Sequence, residues 1–234
     1  MDTRLEHLKK LYELTGFLED AVGGARRLRD CDGRQGWPMR GVYFFMEDGE
    51  HRVESGSGPR IVRVGTHALK DGSKTRLWTR LSQHRGQRTS GGGNHRGSIF
   101  RLIVGTALIK RHEYDFPTWD NRQGSGTAEA KVAEFALEQE VSAMIGAMRF
   151  VWLPINDEPG PQSDRGYIER NAIALLSNYQ KPALDPASPG WLGHDCDRPR
   201  IRASGLWNAN HVDEAYDPAF LDRLEQLIAK VRPA

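Results

Sequence analysis

The sequence predicts an α/β fold of the α+β type: a small three-stranded mixed or antiparallel sheet flanked by helices, with helical additions at both ends. Three observations lead there. GVYFFM (41–46) and RIVRVG (60–65) are short β-branched and aromatic runs joined by the turn-rich stretch EDGEHRVESGSGP, which marks a hairpin. RFVWLPI (149–155) is a third run of the same kind, closed by its proline. Around these runs, apolar residues recur at helical rather than strand spacing.

Residues 3 to 30 carry the first helical pattern, in Leu5, Leu8, Leu11, Leu14, Leu18 and Val22, which Gly23-Gly24 interrupts or ends. After the hairpin, the stretch from Thr75 to Arg85 predicts a helix in which Arg76, Arg80 and His84 recur every four residues and form one polar stripe. Ser98 is placed to cap the next helix, whose Phe100, Ile103, Val104, Ala107 and Leu108 make an apolar face. Residues 113–126 are loop, and Thr127 to Ile145 predicts a helix with Val132, Phe135, Val141, Met144 and Ile145 inward. Ser163 or Asp164 caps a helix over 165–178, with Ile168, Ala172, Leu175 and Leu176 buried and Glu169 at the edge of that stripe. In the tail, Trp191 and Trp207 are anchors for docking on the core, and 218–231 is a surface helix.

At 234 residues, with 38% hydrophobic and 27% charged residues, the chain suits a globular protein rather than a disordered one. No apolar run approaches a membrane span, and the N-terminus is too charged for a secretion signal, so no membrane partner is expected. Two cysteines build no disulfide framework, which makes the reducing cytoplasm the natural compartment. His194, Cys196 and His211 match no zinc-ligand spacing.

Charge is unevenly distributed along the chain. From Arg60 to His112 twelve Lys or Arg stand against one acid, Asp71, a net of +11, whereas from Glu113 to Glu158 nine acids stand against three bases. Such a split predicts a polyanionic partner at the basic part, and the loop GGGNHRG (91–97) suits phosphates. Nucleic acid is therefore the expected partner, with Arg76, Arg85, Arg88 and Arg96, and the loop histidines His67 and His95, as candidate contacts.

The order of elements and motifs resembles the GIY-YIG endonuclease family, whose first two strands carry Gly-Ile-Tyr and Tyr-Ile-Gly. Here they stand as Gly41-Val42-Tyr43 and Arg63-Val64-Gly65, so Arg63 replaces the second tyrosine. The family's helix with arginine followed four residues later by tyrosine or histidine is matched by Arg80 and His84, and its final-helix glutamate by Glu169. A last asparagine has two competitors, Asn178 and Asp185. The resemblance spans roughly 37–186 and implies a nuclease core there. Residues 1–36 are then a helical extension, about 127–146 an inserted helix, and 187–234 a tail and helix packed on the core.

What the resemblance implies is Mg²⁺- or Mn²⁺-dependent hydrolysis of double-stranded DNA, compatible with a homodimer. Glu169 is the metal ligand, Arg80 stabilises the phosphate, His84 passes protons or holds a phosphate, and Tyr43 is the general base. Arg63, on the same face of the sheet, is expected to lower the phenol's pKa or to anchor the phosphate. The competing reading is a nucleic-acid-binding protein on this fold with weakened catalysis, and a further one is a DNA repair nuclease.

Overall fold

The computed structural model describes residues 3–120 and 126–231. Helix α1 (Thr3–Ala21) stops earlier than its apolar period suggests, because Gly23 and Gly24 take positive φ and turn the chain. The turn frees Arg26–Arg27 to form a short strand, β1, where a continuing helix is expected. Strand β2 (Gly41–His51) and strand β3 (Pro59–Gly65) form the hairpin, and α2 (Leu77–Arg85) and α3 (Ile99–His112) follow. Ser98 caps α3 as expected, its Oγ accepting the Arg101 N–H.

The predicted helix over 127–145 is two helices, α4 (Ala128–Ala133) and α5 (Phe135–Ala147), with the break at Glu134. The buried stripe also differs from expectation. Val132 is 77% exposed and Phe135 42%, while Glu134, Leu137, Glu138, Val141 and Ile145 face inward. Two glutamates occupy the inner face because three basic side chains await them there, as described below.

Strand β4 (Arg149–Pro154) and helix α6 (Asp164–Leu176, capped by Ser163) complete the central unit, and α7 (Pro199–Ser204) and α8 (Ala219–Ile228) lie in the tail. The sheet has four strands in the order β1-β4-β2-β3, all antiparallel, so β2 is an inner strand. The α+β class stands, with one strand more than the sequence predicts. One continuous core includes the sheet, Leu8 and Leu11 of α1, and Leu224 and Ile228 of α8, which packs on α1. Among the described residues, no helix is long and apolar enough to cross a membrane.

Residues 205–208 run along the outer side of β3. The Trp207 N–H donates to Val62 O at 2.7 Å, and the Asn208 amide both accepts from Val64 N at 3.0 Å and donates to Val64 O at 2.8 Å. A side chain thus supplies the pair of bonds that a neighbouring strand would supply. Trp191 and Trp207 both donate their indole N–H to Glu47, which anchors the tail as the sequence predicts.

Candidate active site

The β2–β3 register places Tyr43 opposite Gly65 and Phe45 opposite Arg63. Tyr43 and Arg63 therefore share a face of the sheet as diagonal neighbours, not as a direct cross-strand pair. Both motif glycines are fixed by close approach. A Cβ on Gly65 would lie 2.5–2.6 Å from the Tyr43 ring, and one on Gly41 would lie 2.5 Å from Leu153 O.

Tyr43 and His84 are fully buried, and their side chains meet with the hydroxyl 2.9 Å from Nε2. The other ring nitrogen, Nδ1, lies 2.8 Å from Ser98 Oγ. Burial, reinforced by Arg80 and Arg63, holds the His84 pKa well below 6.5, so the imidazole is neutral at pH 7. Ser98 Oγ already accepts the Arg101 N–H as the helix cap. A proton on Nδ1 directed at that oxygen leaves Nε2 as an acceptor for the Tyr43 hydroxyl.

Burial also decides the state of Tyr43. Desolvation raises its pKa, and the opposing pull of Arg63 and Arg80 does not overcome it. The expectation that Arg63 makes the phenol more acidic is thus right in direction and outweighed in size, and the hydroxyl is neutral at pH 7.

Beside this pair opens a cleft of about 190 Å³, lined among others by Arg63, Thr66, Arg80, Glu169, Asn208 and His211. Arg63 donates from Nη1 to Trp207 O, its guanidinium lies 4.4 Å from the Phe100 ring centre, and its Nε has no partner. Glu169 Oε1 accepts the Thr66 N–H at 3.0 Å. Burial raises the Glu169 carboxyl pKa, with Arg63 the strongest opposing influence. Arg80 is half-exposed at the rim.

No described cluster of three or more His, Cys, Asp or Glu residues surrounds Glu169. A single carboxylate suits a hydrated Mg²⁺ or Mn²⁺, which keeps most of its waters, and does not suit the all-protein shell of structural zinc.

Asn178 and Asp185 do not line the cleft. Asn178 ties the chain to Leu184 through both its amide atoms. Asp185 Oδ1 accepts the N–H groups of Val53, Glu54 and Ser55, while its Oδ2 accepts the Ser55 hydroxyl. The asparagines that reach the cleft are Asn208 and Asn210, and sequence reasoning singles out neither Asn208 nor Thr66. Their neighbours are distant in the chain (144 residues for Asn208 and Val64), and no local spacing announces such contacts.

The predicted nucleic-acid contacts divide. Arg76 and Arg88 are exposed, and Arg85 is half-buried with its guanidinium 5.0 Å from the Trp78 ring centre. His95, Arg96 and His67 have partners or surroundings within the fold. His95 is buried, bonded to Glu138 at 2.9 Å and stacked on Trp119. Arg96 makes a two-point pair with Glu134, at 2.7 and 2.9 Å. His67 is buried, and its pKa is pushed down to about 4 by burial first and by Arg165 next.

Arg101, fully buried, also pairs with Glu138, and Arg60 pairs with Glu50 at 2.6 Å. A part of the charge split between the two segments, Arg96 and Arg101 against Glu134 and Glu138, is therefore neutralised inside the protein. The acidic face of α4–α5 receives the basic loop and the start of α3.

A short antiparallel sheet thus bears a tyrosine on an inner strand, with an arginine and a glutamate brought to one cleft beside it. The chain belongs to the GIY-YIG family: the family model for the GIY-YIG domain matches residues 2–234. Domains of this family are generally nucleases acting on DNA, and they commonly use divalent metal ions. No curated protein and no solved structure matches the chain.

Proposed function

We propose that the protein is a divalent-metal-dependent endonuclease that hydrolyses phosphodiester bonds of duplex DNA in the cleft between β3, α2 and α6. The supporting observation is that Arg63, Arg80 and Glu169, three of the residues singled out by motif order, line one cleft beside the buried Tyr43–His84 pair. The unpartnered Nε of Arg63 and the rim position of Arg80 suit a phosphate, whose developing negative charge both guanidiniums stabilise.

With a neutral phenol, proton removal is shared. The Tyr43 hydroxyl takes a proton from the attacking water as it passes its own to Nε2 of His84, while the phosphorus–oxygen bond to the leaving alkoxide breaks. A divalent cation held by Glu169 supplies, when bound, positive charge to the phosphate and the leaving oxygen. Thr66 orients the Glu169 carboxylate through its N–H. One cleft serves one strand, so a double-strand break calls for two visits or for a homodimer.

The test is incubation with supercoiled plasmid, with and without Mg²⁺, for the parent and Glu169→Gln. Nicked or linear product is expected only from the parent with metal, with DNA affinity similar in both proteins. Retention of DNA without any cleavage by the parent would leave the binding-protein reading in place.

A further inference from the structure

His211 lines the same cleft as Glu169, from the wall that the tail supplies. Its backbone has a φ of 63°, in the left-handed region that few residues with a side chain enter. That conformation is held by its neighbours. The Ser177 hydroxyl donates to Val212 O at 2.7 Å, and the His211 imidazole Nδ1 meets Glu214 Oε1 at 2.8 Å. Glu214 is fixed in turn by Arg170, whose Nε donates to Oε2.

An ionised carboxylate only accepts, so the proton of the neutral ring sits on Nδ1 and the lone pair on Nε2. Among the described residues Nε2 has no hydrogen-bond partner. Glu169 is prepared in a similar way: its Oε1 takes the Thr66 N–H, while Oε2 has no partner among the described residues. The two side chains lie within electrostatic reach. Burial pushes the Glu169 carboxyl pKa up, and His211 is among the groups near enough to oppose it, after Arg63 and the Thr66 N–H.

We propose that His211, through Nε2, is a second protein ligand of the divalent cation held by Glu169. A carboxylate that takes one ring N–H and leaves the other nitrogen open is the usual support of a metal-binding histidine. The cleft also has need of a second donor. Arg63 and Arg80 line it and repel a cation, so one carboxylate alone holds the ion weakly. An imidazole adds a bond to the ion without adding a further positive charge. It also changes which ion is preferred: Mg²⁺ keeps to oxygen ligands, whereas a nitrogen suits transition ions such as Mn²⁺. The inference rests on the nuclease reading for Glu169 as a metal ligand.

The experiment loads the untagged, DNA-free protein with Mn²⁺ and records pulsed EPR, which detects nitrogen bound to the ion, beside calorimetric titrations with Mn²⁺ and Mg²⁺. The parent should show a directly bound nitrogen and bind Mn²⁺ more tightly than Mg²⁺. His211→Asn, which suits the left-handed backbone, should lose both the nitrogen signal and the preference for Mn²⁺. Glu214→Gln leaves the imidazole in place and should weaken Mn²⁺ binding by roughly tenfold or more; it carries the test with the parent's spectrum if His211→Asn does not fold. No nitrogen signal in the parent, or the same signal in His211→Asn, overturns the proposal. So does Mn²⁺ affinity unchanged in Glu169→Gln, which would put the ion elsewhere. A parent that cuts plasmid in Mn²⁺ without the nitrogen signal sinks this proposal alone. A parent that shows the signal and leaves plasmid intact sinks the nuclease reading and leaves the metal site standing.

Discussion

Gly65 lies directly against the ring of Tyr43, so close that a single methyl group at that position would overlap the phenol. Gly65→Ala is therefore expected to displace Tyr43 from His84. Stability should fall by about 1–3 kcal/mol, the usual cost of overpacking, and cleavage should fall further than that loss explains. Thermal melts and plasmid nicking on the same preparation check this; an unchanged cleavage rate would show that the tyrosine's position is not critical.

Removing only the hydroxyl separates chemistry from packing. Tyr43→Phe keeps the ring and leaves His84 Nε2 without its partner, at a cost of about 1–2 kcal/mol. Cleavage is expected to drop by roughly 10²–10⁴-fold, the range of a lost acid–base group. Parental rates in single-turnover assays would exclude Tyr43 from proton transfer.

The pH profile follows from two shifts. His84 is held well below 6.5, so protonation blocks it as an acceptor only in distinctly acidic solution. Tyr43 is raised above 10.0, so its ionisation contributes no increase in rate near neutrality. Single-turnover rates should show no histidine-like inflection at pH 6.5, and one appearing there would contradict the buried neutral imidazole.

Asp185 is expected to act on stability, not on cleavage. Burial alone raises its carboxyl pKa, but the Ser55 hydroxyl and the N–H groups of Val53, Ser55 and Glu54 outweigh it and hold the pKa below 3.8. A depressed carboxylate contributes its full stabilisation above the unfolded value and loses it as pH falls through the folded one. Asp185→Ala should cost about 3 kcal/mol at pH 7, and the gap from the parent should narrow as pH drops below about 3.8. Denaturant melts at several pH values measure it; a constant gap across that range would contradict the assignment.

The basic residues should separate by salt dependence. Arg88→Ala is expected to weaken DNA binding and reduce the slope of log affinity against log salt by about 1. Arg96→Ala should leave that slope unchanged and instead destabilise the fold by about 2 kcal/mol, because Glu134 loses its buried partner. Equal slope changes in both variants would mean that Arg96 leaves Glu134 to meet DNA.

Residues whose roles depend on local order were legible in the sequence, and those that depend on distant meetings were not. Tyr43, Arg80, His84 and Glu169 stand at recognisable positions along successive elements. Asn208 and Thr66 act through partners on other elements, and the inward turn of Glu134 and Glu138 runs against the rule that charges face water. The rule fails there because His95, Arg96 and Arg101 come from a different segment. The same meeting explains why Val132 and Phe135 face outward although apolar periodicity predicts them inside: ion pairing sets the phase of their helices.

The seam between Asn208 and Val64 has a consequence for how the fold comes into being. One wall of the cleft is delivered by residues 207–211, which follow the sheet in the chain by more than fifty positions from β4. While the chain emerges from the ribosome, the strands, the tyrosine and the glutamate are all made before that wall exists. Arg63 has no Trp207 carbonyl to hold it, and the outer rim of β3 lies open. The order of synthesis thus acts as a built-in delay, in which a growing chain carries every motif of the family before the cleft beside them is complete.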